Sequence, residues 1–94
     1  MLRLRYSDAT KEDLKEIARY IVRDKPKAAR EWAAKLRGKC QMLAKNPEVG
    51  DDLADLGKGI RSSHVSSYII FFRQHEEILE IVRMRRGDLE FPFL

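Results

Sequence analysis

Residues 68–73, Tyr-Ile-Ile-Phe-Phe-Arg, constrain the fold more than any other stretch, being a β-branched and aromatic run with no helical spacing. A polar break at residues 74–77 separates it from a second such run at residues 78–85. Two runs of that length across a short polar loop predict a β-hairpin. A shorter run at residues 60–65 leads in and carries Arg61, while Arg83, Arg85 and Arg86 gather where the hairpin ends. Residues 59–86 therefore read as the working surface, and everything before them as its support.

The support is helical. Residues 2–6 alternate apolar and basic side chains, which suits a short edge strand whose arginines, Arg3 and Arg5, discourage edge-to-edge pairing. A turn signal follows at Ser7-Asp8. Thr10 then stands as a helix cap with Asp13 at the third helical position, and Leu14, Ile17, Ala18 and Ile21 fall on one stripe. This predicts a first helix over residues 10–23. Pro26 suits the first position of a second helix, whose stripe is Ala29, Trp32, Ala33, Leu36, Cys40, Leu43 and Ala44. Asn46-Pro47 ends it. Two amphipathic helices joined by a short link make an antiparallel hairpin, with Ala18, Ala29 and Ala33 small enough for close packing. Gly38 lies on the opposite side from Ala29, where no local reason for it is evident.

The order strand–helix–helix–strand–strand–strand predicts one α+β domain over residues 1–94, an antiparallel-rich sheet with the helical hairpin packed on one face. In the central strand Tyr68, Ile70 and Phe72 point one way and Ile69 and Phe71 the other, so both faces are apolar. Two helices cover one face only. The other then calls for the apolar tail at residues 91–94, a partner or a second copy, and the chain alone is expected to self-associate.

Charge and chemistry narrow the function. A net charge of +4 favours an anionic partner, either nucleic acid or an acidic protein segment. The single cysteine, Cys40, excludes an intrachain disulfide. No Cys/His cluster or glycine-rich phosphate loop is present, so neither a metal nor a nucleotide cofactor is expected. No apolar run approaches the roughly 18 residues of a membrane span, and a cytoplasmic location is expected. His64, at a strand end near the arginines, is the better placed of the two histidines for acid–base work, but no nucleophile or second base accompanies it at a telling spacing. His75 falls in the polar break.

Several linked segments resemble a known family. These are Asp13-Leu14 with Ile17 and Tyr20, Ala28-Ala29, and Leu43-Ala44 with Asn46-Pro47 and Gly50. Gly59-Ile60-Arg61-Ser62, the run from Tyr68 to Phe72, and Glu80-Ile81-Val82-Arg83-Met84 continue the pattern. Together they resemble ParE-type toxins of the ParE/RelE superfamily, bacterial type II toxin–antitoxin and plasmid-maintenance modules. The resemblance spans nearly the whole chain. It implies a ParD-like antitoxin partner in a hetero-oligomeric complex, DNA contact only through that antitoxin, no cofactor, and inhibition of DNA gyrase. RelE-like members, by contrast, are ribosome-dependent mRNA endonucleases with an arginine directly after the strand tyrosine and a late tyrosine or histidine. Here Ile69 follows Tyr68, and no tyrosine or histidine follows His75. An apolar side chain offers a developing phosphorane charge nothing, so a non-enzymatic toxin is expected. The alternatives are an mRNA endonuclease, or a member without toxicity kept as an antitoxin-binding protein. The residues expected to meet the antitoxin are Leu14, Ile17, Tyr20, Trp32, Leu36, Ile69, Phe71 and Arg73. Those expected to act in target binding or toxicity are Arg61, Arg83, Arg85 and Arg86.

Overall fold

Strand β1 (Arg3–Tyr6) leads into helix α1 (Asp8–Asp24) and helix α2 (Pro26–Lys45). A two-residue strand β2 (Asp51–Asp52) and a 3-10 turn (Ala54–Leu56) follow, and then the meander β3 (Arg61–Val65), β4 (Tyr68–His75) and β5 (Ile78–Arg86). The computed structural model describes residues 1–87, apart from the side chains of residues 21–24 and 54. The tail at residues 91–94 and the side chain of Ile21 lie outside the described residues.

The sheet runs β1-β5-β4-β3-β2, with β1 parallel to β5 and every other pair antiparallel. The α+β architecture and the edge position of β1 agree with the sequence reading; β2 is an addition to it. The polar break is shorter than expected. Gln74 and His75 continue β4, pairing with Leu79 and Ile78, and only Glu76 and Glu77 form the turn. Glu76 takes φ 56°, and Ser66 takes φ 55° in the other tight turn.

The two helices differ in what they bury. Leu36, Cys40, Leu43 and Ala44 of α2 are buried against Tyr68, Ile70, Phe72, Leu79, Ile81 and Met84, whereas Leu14 and Ile17 of α1 are only half-buried on that core. Burying side chains of this size stabilises by about 1.5–3 kcal/mol each, so α2 supplies most of the hydrophobic anchorage. Pro26 opens α2 and Asn46 closes it, the Asn46 N–H returning to the carbonyls of Met42 and Leu43. The small residues expected to close the helical hairpin do not close it. Ala18 is exposed, Ala29 and Ala33 are half-buried, and with Leu14, Trp32 and Leu36 they line an apolar groove of about 290 Å³.

Helix α1 is held instead by polar bonds to a sheet edge. β1 pairs with β5 only as far as Tyr6 opposite Ile81, which leaves the edge of β5 open beyond that point. The first turns of α1 close it. The Ser7 hydroxyl accepts from the Thr10 N–H at 3.0 Å and donates to the Val82 carbonyl at 2.7 Å. The Thr10 hydroxyl, fully buried, donates to the Ile81 carbonyl at 2.9 Å. Ser7 is therefore the cap, three residues before the one expected. Thr10 is displaced from that role because its side chain is needed to satisfy the strand edge.

Asp13 is likewise no capping residue. Its carboxylate accepts from Nε and Nη2 of Arg83 at 2.9 and 3.0 Å, and from the Met84 N–H at 3.0 Å. Val82 is the extra residue of a bulge, since Phe71 pairs with Arg83 and Phe72 with Ile81. The bulge lies at the point where β1 gives way to α1.

Phe71 is 1% exposed and Ile69 half-buried, so the second apolar face of β4 is covered, as the sequence requires; the tail, one of the covers expected, lies outside the described residues.

At the other end of the core the Tyr6 phenol meets the Cys40 thiol. Burial, with Cys40 beside it, pushes Tyr6 up to about 12, and burial raises the Cys40 thiol as well. Between about pH 10, where an unfolded tyrosine ionises, and pH 12, the unfolded chain has lost a proton that the folded chain keeps. The Tyr6 contribution to stability is therefore complete below pH 10 and is lost as pH rises through that window. Urea midpoints measured from pH 9 to 12 should fall more steeply for the parent chain than for Tyr6→Phe. Parallel curves would contradict this.

Candidate functional site

A concavity of about 920 Å³ opens where the end of α1 and the start of α2 face the β3–β4 turn. Its walls are aromatic. Trp32 meets Tyr68 edge-on, ring centroids 5.3 Å apart and planes at 62°. Tyr20 forms the rim at 59% exposure, and the Arg86 guanidinium lies 6.0 Å from the centre of its ring, at the outer limit of a cation–π contact. Lys35, Arg86 and His64 bring basic groups to the same hollow, against Glu31. The Trp32 Nε1 is buried with no hydrogen-bond acceptor among the described residues. A smaller recess of about 180 Å³ shares Tyr20, Tyr68 and Arg86 and adds Glu16, Ile17 and Arg85.

An exposed aromatic rim, walls made by half-buried Trp32 and buried Tyr68, and cations at one end suit an amphipathic ligand. An apolar side chain can enter between Tyr20 and Trp32 while an acidic group meets Lys35 or Arg86. The His64 side chain makes no hydrogen bond among the described residues, so no base is paired there with a hydroxyl.

The expected target-binding arginines do not act as a group. Arg61 donates from Nη2 to the carbonyls of Glu48 at 2.6 Å and Gly50 at 2.8 Å, strapping the β2 loop to β3. Arg83 is held by Asp13, and the bond to that carboxylate raises its pKa further above the ordinary guanidinium value. The doubly positive strand end expected from Arg83 and Arg85 is therefore not formed. Arg85 is half-buried and makes no ion pair among the described residues, and Arg86 sits over Tyr20. Arg85 and Arg86 alone of the four reach a recess.

The expected antitoxin-binding set divides in a similar way. Leu36 and Phe71 are core, and Leu14 and Ile17 face the core from α1. Ile69 lies opposite His64 and Arg85 in the sheet. Arg73 pairs with one oxygen of Glu80 at 3.0 Å while Arg5 takes the other at 3.1 Å, forming a ladder across β1, β5 and β4. Tyr20 and Trp32 are the two that line the main hollow. Sequence reasoning missed Lys35, Tyr68 and the Ser66-Ser67 turn as its other walls. The available signal was that Lys35 follows Trp32 by three residues on α2, on the same side.

Residues 4–89 match the family model described as the ParE toxin of type II toxin–antitoxin systems, parDE. No curated protein matches the sequence significantly. Among solved structures, one chain described as a chromosomal ParDE toxin–antitoxin system from P. aeruginosa superposes with a TM-score of 0.78 at 19% identity, covering 94% of this chain and 98% of that one. Another, from the toxin–antitoxin complex RelBE2 of Mycobacterium tuberculosis, superposes with a TM-score of 0.65 at 18% identity, covering 90% and 96%. At such identities these likenesses establish the fold. No helix is long and apolar enough to cross a membrane among the described residues.

Proposed function

The chain belongs to the ParE toxin family of type II toxin–antitoxin systems, and on that premise we propose that it is a non-enzymatic toxin, neutralised by a ParD-like antitoxin and directed at DNA gyrase. The observation that carries this reading is the commitment of three of the sheet arginines. Arg61 is taken by loop carbonyls, Arg83 by Asp13 and Arg73 by Glu80. A phosphoryl-transfer site needs cations aimed at the developing charge, and these are turned to the protein's own acceptors. Ile69, next to Tyr68, adds no donor.

The hollow between Tyr20 and Trp32 supports the partner half of the reading. It fits an amphipathic antitoxin segment with an acidic residue, which would order as it docks. A cytoplasmic location follows from a gyrase target.

Two assays decide the target. The purified chain should inhibit gyrase supercoiling, and its antitoxin should restore it. Induction in cells should leave primer extension on mRNA free of stops at A-site codons. Such stops would establish the endonuclease alternative. An inert chain in both assays would favour the non-toxic, antitoxin-binding one.

A further inference from the structure

The charge of this protein is not spread evenly, and most of its excess sits on one helix. α2 carries Lys27, Arg30, Lys35, Arg37, Lys39 and Lys45 against Glu31 alone, five net positive charges in a chain whose total is +4. All of these basic side chains are exposed except the half-buried Lys39, and none forms an ion pair among the described residues. By contrast, α1 mixes both signs and pairs Lys15 with Glu12. We propose that the outer face of α2 is a contact surface for the phosphate backbone of a nucleic-acid duplex.

Two features favour a duplex over an acidic protein segment. The first is composition. Between its basic residues the outer face offers Ala34, Gly38, Gln41 and the single acidic Glu31, all exposed and none a large apolar side chain. A protein interface needs an apolar or aromatic centre that this face does not have, whereas phosphate contact draws its affinity from counterion release and needs none. The second is shape. The basic residues are distributed over a straight rise of roughly 27 Å from Lys27 to Lys45, at about 1.5 Å per residue. That length lies along one side of a duplex, and the outer surface of a single helix is convex. The surface is separate from the Tyr20–Trp32 hollow, with Lys35 at their shared border. It departs from the expectation that DNA is reached only through an antitoxin, and it does not depend on gyrase being the target.

The test is fluorescence anisotropy with the full chain and labelled 20-base-pair duplexes of arbitrary sequence, one DNA and one RNA, from 50 to 200 mM KCl. Binding of either duplex should weaken with salt, and the two arms distinguish which nucleic acid is preferred. The triple variant Arg30→Gln/Arg37→Gln/Lys45→Gln should bind about tenfold more weakly at 100 mM. Its plot of log affinity against log salt should be shallower by about 2–3, near one for each phosphate no longer neutralised. A variant of equal charge with the changes elsewhere, Arg3→Gln/Lys11→Gln/Lys58→Gln, should keep most of the affinity. All these positions are exposed, and circular dichroism should confirm that both variants are folded. The proposal is overturned if neither duplex binds, or if the two variants weaken binding equally. It is also overturned if labelled poly-L-glutamate binds through α2 and the duplexes do not.

Discussion

Asp13→Ala should lower the unfolding free energy by about 3 kcal/mol, the largest single-residue effect we expect outside the hydrophobic core. The carboxylate side chain is 9% exposed and satisfies three donors, two from Arg83 and one from the Met84 backbone. Removing it leaves a buried N–H without an acceptor, worth about 1–3 kcal/mol, and a guanidinium without its counter-charge. The Arg83 side chain is 24% exposed, so water recovers part of the second loss, and the sum falls below that of a fully buried pair. In a domain of this size the change corresponds to a fall in Tm of roughly 15 °C. Asp13→Asn keeps an acceptor for Met84 and should lose about half as much. The order of the two variants matters more than either figure. If Asp13→Ala shifted the urea midpoint no more than an exposed-site control such as Glu12→Ala, the carboxylate would not be what attaches α1 to the sheet.

Tyr20→Ala should weaken binding of the neutralising partner about 30-fold, near 2 kcal/mol, without altering the stability of the isolated chain. Among the described residues Tyr20 is the one large aromatic both exposed and on the rim of the hollow, and aromatic residues in that position dominate interfaces when a partner desolvates them. Trp32→Ala is a poorer test, because Trp32 also packs on Tyr68 and its loss would disturb the fold. Tyr20→Phe retains the ring and should retain most of the affinity. Titration calorimetry of the parent and both variants against the purified antitoxin decides the matter. A change of less than threefold for Tyr20→Ala would place the antitoxin on another surface and leave the family assignment untouched.

These two residues show how unevenly the site could be read from the chain. Tyr20 was reached only through the family resemblance, whereas its neighbour Trp32 was visible by its helical spacing. Asp13 was visible only as a helix-start residue, since Asp after Thr-x-x is a common local pattern. Ser7, also a good capping residue, lies three positions before Thr10. Local chemistry does not rank the two. What ranks them is the strand edge at Ile81 and Val82, which takes the Thr10 hydroxyl for one carbonyl and the Ser7 hydroxyl for the other. The arginines behave alike for the same reason. Sequence proximity grouped Arg83, Arg85 and Arg86, but the fold sends them to different surroundings.

The element order, the break at Pro26, the stop at Asn46-Pro47 and the buried stripe of α2 follow from sequence alone. Each depends on backbone restriction or on side-chain period within a few residues. The parallel seating of β1 beside β5, the bulge at Val82 and the open groove between the helices were decided by tertiary structure. So was the fate of the arginine set. Arg83 meets a carboxylate 70 residues away, and Arg61 meets carbonyls 13 and 11 residues away. Strand order and register choose such partners, because a guanidinium turns to whichever acceptor the fold brings within about 3 Å. The stretch from Gly59 to Arg86 thus specified a sheet by itself, and the packing of α1 against its edge determined which of its cations reach the recesses beside Tyr20.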